Sequence, residues 1–135
     1  YTTWSAGKNL VAGVNDGATQ DPDGDGTSNV LEFALGGDPL AADASILPVG
    51  TLTADHLVFT FRRSDASKQE VALGFQSGSD LTRWTEIAIG AASAGSVVVV
   101  ENADAPDTVT VTLPRSQAVG GKLFGRLKAA LKTAE

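Results

Sequence analysis

The sequence predicts a mainly β protein: an antiparallel β-sandwich preceded by a short helix–loop–helix segment. Three observations carry that expectation. From Thr51 onward apolar residues recur with a period of two, the spacing that puts alternate side chains on one face of a strand. Clusters of turn-forming residues separate these runs: Ser64-Asp65, Gly78-Ser79-Asp80, Ala94-Gly95, Asp104 to Asp107 and Gly120-Gly121. No long helical stretch lies between them, so the crossovers of a parallel sheet have no candidate.

The elements follow in chain order. Trp4, Leu10 and Val11 fit one face of a first helix, and Gly13, Asn15, Asp16 and Gly17 then read as loop. A second helix is predicted through Val30-Leu31-Glu32-Phe33-Ala34-Leu35. Gly36-Gly37 is its C-cap and Asp38-Pro39 its stop. Residues 41–50 read as a linker, which divides the chain into a segment 1–40 and a β domain 51–135.

Within the β domain, Leu57, Phe59 and Phe61 share one strand face, and Val71, Leu73 and Phe75 another. Trp84, Glu86 and Ala88 alternate with Thr85, Ile87 and Ile89. Val97 to Val100 is continuously apolar, as in a strand buried on both faces. Thr108 to Leu113 alternates most regularly, with Val109, Val111 and Leu113 inward. Leu123 to Lys128 is the last predicted strand, and Ala129 to Glu135 continues as a short helix or frayed tail.

Composition narrows the functional classes. The 135 residues suit one domain, or one domain with a small appendage, and the 42% hydrophobic content is ordinary for a folded chain. Sixteen acidic and ten basic residues give a net charge of −6. That balance excludes nucleic acid, whose phosphates need a basic face. No apolar run approaches the roughly 20 residues of a membrane-spanning helix, and no basic region followed by an apolar stretch opens the chain. The absence of cysteine excludes disulfides, thiolate zinc sites and cysteine nucleophiles.

Much of the acidity is local. Residues 21–32 read Asp21-Pro22-Asp23-Gly24-Asp25-Gly26-Thr27-Ser28-Asn29-Val30-Leu31-Glu32. This is the twelve-residue calcium loop of EF-hand type, with a suitable residue at every position. Asp21, Asp23 and Asp25 can aim carboxylates at one centre while the backbone curls round it. Gly26 stands at the sharp turn. Thr27 offers its backbone carbonyl, and Asn29 binds directly or through water. Glu32, one turn into the helix, closes the sphere with both oxygens. All these ligands are hard oxygens, which favours Ca²⁺ over transition metals, and their number favours it over Mg²⁺.

The stretch Asp21 to Pro39, DPDGDGTSNVLEFALGGDP, resembles thrombospondin type 3-like and dockerin-like calcium repeats. It is most similar to C-terminal accessory regions of large secreted bacterial proteins. There, a single such loop precedes a short helix, a Gly-Asp-Pro end and a β-rich tail. Ser79-Asp80-Leu81-Thr82-Arg83-Trp84 and Leu123-Phe124-Gly125-Arg126-Leu127 resemble recurrent stretches of that tail. The resemblance implies an extracellular or cell-surface location in a multi-domain parent and no enzymatic activity. A dockerin has two such loops with paired helices, so cohesin binding is not expected from one.

The expected function is therefore a non-catalytic, calcium-binding accessory module for anchoring, export or contact with other domains of the parent. The alternative is a carbohydrate-binding module attached to a polysaccharide-acting enzyme, for which Trp84 is the candidate stacking platform. His56, the only histidine, has no nucleophile-elbow motif to serve. Asp80, Glu86 and Glu101 are the candidate carboxylates for glycoside hydrolysis. Arg62, Arg63 and Arg83 are read as protecting strand edges or lining a binding face.

Overall fold

The structure is a computed structural model that describes residues 1–90 and 92–132. Among these residues two short helices and seven strands form. The helices are α1 (Thr2–Gly7) and α2 (Asn29–Leu35). The strands are β1 (Val49–Leu52), β2 (His56–Arg63), β3 (Val71–Gly78), β4 (Thr85–Ile89), β5 (Val97–Asn102), β6 (Ala105–Pro114) and β7 (Phe124–Leu131). Both sheets are antiparallel, one of order β1-β2-β6-β5 and the other of order β4-β3-β7.

The sheets meet face to face. Phe61 from β2, Val109, Val111 and Leu113 from β6, and Val97 from β5 supply one side of the core. Val71, Leu73 and Phe75 from β3 and Ile89 from β4 supply the other. The rings of Phe59 and Phe75, one from each sheet, lie 4.8 Å apart between centroids. A buried ion pair ties the layers at one end. Arg63 donates through Nη2 to Asp107 Oδ2 at 2.8 Å and through Nη1 to the carbonyl of Gly90. Asp107 is fully buried, and Lys68 reaches the same oxygen at 2.8 Å. The Lys68 and Arg63 cations hold its carboxyl below the usual range despite the opposing effect of burial.

Helix α2 closes the core beside the sheets. Val30, Phe33, Ala34 and Leu35 are buried in the cluster that contains the inner residues of both sheets. Tyr1 and Trp4 pack on Phe33, with ring centroids at 5.7 and 5.1 Å. Gly36 ends the helix in the left-handed region at φ 79°, where a residue without Cβ carries no steric penalty.

Three expectations need correction. Helix α1 stops at Gly7 because Asn9 turns left-handed (φ 63°) and Leu10 N–H bonds back to the Ser5 carbonyl. Leu10 and Val11 therefore lie beyond the helix, Leu10 buried and Val11 exposed. Secondly, β5 is not buried on both faces. It is an edge strand of a two-layer structure, so Val97 faces the core at 2% exposure while Val98 and Val100 face outward at 48% and 52%. Thirdly, Arg63 does not guard an edge; it is buried against Asp107.

The predicted linker contains a 3-10 turn, Ala44–Ile46, and its end enters β1. The last strand continues through Leu131, so residues 129–131 are extended; residues 133–135 lie outside the described residues.

The two faces of β5 give a direct test. Val97→Ala should cost about 2 kcal/mol in urea unfolding, from lost burial plus a residual cavity. Val98→Ala, one residue along, should stay within about 0.5 kcal/mol. Equal losses would contradict the edge placement.

Candidate metal centre

The loop 21–32 is shaped by its own backbone amides. Asp21 accepts from Gly24 N–H at 3.1 Å and from Gly26 N–H at 2.8 Å. Asp23 Oδ1 accepts from Asp25 N–H at 3.2 Å, and Asp25 Oδ1 from Thr27 N–H at 2.8 Å. Each aspartate thus folds the chain back on itself, the local chemistry that makes this residue type a turn former. Gly26 adopts φ 88°, as the sharp turn requires. The result brings carboxylate oxygens of Asp21, Asp23 and Asp25 within 4.8 Å of one another.

Glu32 approaches the same cluster from α2. It is 1% exposed, and among the described residues neither carboxylate oxygen has a hydrogen-bond donor. Asp23 Oδ2 is likewise buried without a partner. Burial, then the charges of Asp25 and Asp23, push the Glu32 carboxyl up to about 8. Burial and the neighbouring Asp21 and Asp25 raise Asp23, against the Asp25 N–H that lowers it. Asp25 goes the other way, held down chiefly by the Thr27 amide and also by the Asp43 amide, which reaches Asp25 Oδ2 at 3.3 Å.

Space for the Glu32 carboxylate comes from a residue that the sequence reading assigned only to a helix cap. A Cβ on Gly37 would overlap Glu32 Oε2 and crowd Ile46 Cδ1 at 2.6 Å. Gly37 is therefore the seat of the carboxylate, and nothing in the local pattern distinguished that from capping.

Thr27 is buried at 2% exposure. Asn29 is fully buried, and its Nδ2 donates to the carbonyls of Asn15 and Gly17 at 2.8 and 2.9 Å. Its Oδ1 has no donor. The amides of Asn29 and Val30 bond to the carbonyls of Gln20 and Ala18, at 2.8 and 2.9 Å. The first turn of α2 is therefore capped by the preceding loop, since Ser28 makes no side-chain cap. The chain enters the acidic loop through the turns of residues 8–20 rather than straight from a helix.

The other candidate residues remain apart. Asp80 Oδ1 is engaged by Thr82 and Arg83 amides within its own turn. Glu86 meets Gln76 and Lys128, and Glu101 meets Lys68. His56 is exposed at the start of β2. Trp84 is half-buried, with the Arg126 guanidinium 3.8 Å from its ring centroid. Comparison of the chain with protein-family models, curated proteins and solved structures finds no match.

The Glu32 shift sets a pH dependence for the metal-free protein. A carboxyl whose folded pKa is about 8 holds its proton where the unfolded chain, near 4.5, has lost it. Stability in EDTA should therefore fall as pH rises from about 5 to 8. Glu32→Gln should flatten that slope in thermal unfolding; an unchanged slope would place its origin elsewhere.

Proposed function

We propose that this chain is a calcium-stabilised, non-catalytic accessory module of a secreted, multi-domain bacterial protein. One Ca²⁺ is held by Asp21, Asp23, Asp25 and Glu32, with the Thr27 carbonyl and Asn29 completing the oxygen set. The location is extracellular or at the cell surface, and the role is anchoring, export or contact with neighbouring domains of the parent.

Glu32 is the single observation that carries this proposal. A buried carboxylate with no donor is costly, and several acids converging on it raise the cost further. A divalent cation supplies the missing charge and uses the free oxygens at once. The chemistry is that of a hard cation: carboxylates and a carbonyl, with no nitrogen or sulfur in the set. A bound ion reverses the electrostatic logic of the site, favouring the ionised form of each acid.

The metal has a structural consequence. Asn29 and Val30 hold the 15–20 loop, and Phe33 on the same helix holds Tyr1 and Trp4. A helix this short is marginal alone. Fixing its first turn with calcium clamps the N-terminal residues onto the sheets.

Calcium titration followed by melting and tryptophan fluorescence tests the proposal. A hundredfold excess over Kd should stabilise the fold by about 2.7 kcal/mol. Asp23→Ala or Glu32→Ala should abolish the gain. Gly37→Ala should weaken calcium binding by intruding on Glu32, and Gly37→Ala with Glu32→Asp should recover part of it. No calcium-dependent shift and no bound metal by elemental analysis would remove the proposal.

A further inference from the structure

The loops at one end of the sandwich share a pattern that the core does not require. In the four-stranded sheet this end is marked by the pairs Leu52–Leu57 and His56–Pro114, and in the three-stranded sheet by Gly78–Phe124. A Cβ on Gly125 would strike the rings of both Phe59 and Phe75, so the two sheet ends lie together. Three connections meet there: the β1–β2 turn 53–55, the β3–β4 loop 79–84 and the β6–β7 loop 115–123. Arg115 Nη1 donates to the carbonyls of Thr53 and Ala54 at 3.3 and 3.2 Å, which joins the first to the third. Ser79, Arg83, Gln117 and Leu123 line a common hollow of about 330 Å³ between the second and the third.

Each connection presents an exposed apolar side chain from a turn held by hydrogen bonds. Leu81, 69% exposed, sits in a turn closed by Asp80 Oδ1, which accepts from the Thr82 and Arg83 amides, both at 2.9 Å. Val119, 66% exposed, heads a two-residue hairpin. Its N–H and C=O pair with those of Lys122, both at 3.1 Å, around Gly120 and Gly121 at φ 61° and 76°. Leu52, 62% exposed, leads into the β1–β2 turn, where Thr53 N–H bonds to the His56 carbonyl at 2.8 Å. A single exposed apolar residue is ordinary on any surface. Three on adjoining, hydrogen-bonded turns form a group.

Cations stand among these apolar points. The loops carry Arg83, Arg115 and Lys122, all exposed, and among the described residues none of the three is paired with a carboxylate. Of the sixteen acids only Asp55 and Asp80 belong to these loops, and Asp80 is engaged within its own turn. A chain of net charge −6 thus has one end where cations outnumber acids. The hollow between the loops adds the hydroxyl-bearing Ser79 and Thr85 beside Arg83, a set of donors suited to a phosphate.

We propose that this end of the sandwich docks on an anionic phospholipid bilayer. Leu52, Leu81 and Val119 enter the boundary between headgroups and acyl chains, and Arg83, Arg115 and Lys122 take the headgroup phosphates. The contact is made by separate turns rather than by a flat face. A folded protein partner would need a recess for each turn, and lysine is depleted from such interfaces, whereas headgroups part around the turns. The surface uses no residue of the loop 21–32, and failure of either proposal leaves the other standing.

The experiment is cosedimentation of the calcium-loaded chain, at low free calcium, with vesicles of phosphatidylglycerol and phosphatidylcholine in equal parts and with vesicles of phosphatidylcholine alone. The mixed vesicles should bind the chain, and salt at about 1 M, where the Debye length falls to about 3 Å, should release most of it. Leu81→Ser and Val119→Ser should each weaken binding about fivefold, and Lys122→Glu about tenfold. Val98→Ser, exposed on the outward face of β5, should change it by no more than about twofold. The proposal is overturned by no binding at millimolar lipid, by equal binding to the phosphatidylcholine vesicles, or by equal losses in Val98→Ser and Leu81→Ser. Unchanged binding of Lys122→Glu, the mark of calcium bridging acidic residues to lipid, also overturns it.

Discussion

Glu32 carries its carboxylate into the interior from the middle of a seven-residue helix and meets the charges of Asp25 and Asp23 there, with no hydrogen-bond donor among the described residues. Much of the N-terminal segment is arranged round that constraint. Gly37 leaves the space the carboxylate occupies, Asp43 gives its amide to Asp25, and Ile46 packs beside the seat. At the first turn of the same helix, Asn29 gathers the carbonyls of Asn15 and Gly17. Neutralising this one cluster bears on residues far from it in sequence, because the same short helix also supplies Val30 and Phe33 to the common core.

A second buried polar unit does the opposite. Asp107 is as deeply buried as Glu32, yet Arg63 and Lys68 satisfy it, and its carboxyl moves down where that of Glu32 moves up. The same burial therefore has two outcomes, decided by whether cations of the chain are within reach. The Arg63–Asp107 pair is internally compensated and joins β2, β6 and the end of β4. Among the described residues no donor or cation meets the Glu32 carboxylate, so its burial stays uncompensated by the chain.

The two outer faces also differ for a physical reason. On the four-stranded sheet the outward residues Val98, Val100, Thr108 and Thr110 are β-branched and nearly uncharged, well suited to a pleated surface. On the three-stranded sheet long polar side chains of the outer strands stand over a central strand of small ones. On the second, the space over the central strand is taken up from its flank, Gly74 by the Glu86 side chain and Gly78 by the backbone of the turn through Asp80 and Arg83.

Local chemistry was legible in the sequence. The clustering of Asp21, Asp23 and Asp25 could be read because these acids recur at fixed short spacing, and the alternation of Thr108 to Leu113 could be read because a strand with one buried face has a period of two. The C-cap at Gly36 was legible for the same reason. What only the tertiary structure decided was every relation between distant segments. Val97 to Val100 has the composition of a doubly buried strand, and only its place at the edge of a two-layer structure exposes Val98 and Val100. Arg63 finds its partner 44 residues away, and Gly37 is needed for a carboxylate that enters from another direction. Spacing along the chain encodes which groups can share a turn or a face; it does not encode which face meets which, because that is settled by the packing of the whole core.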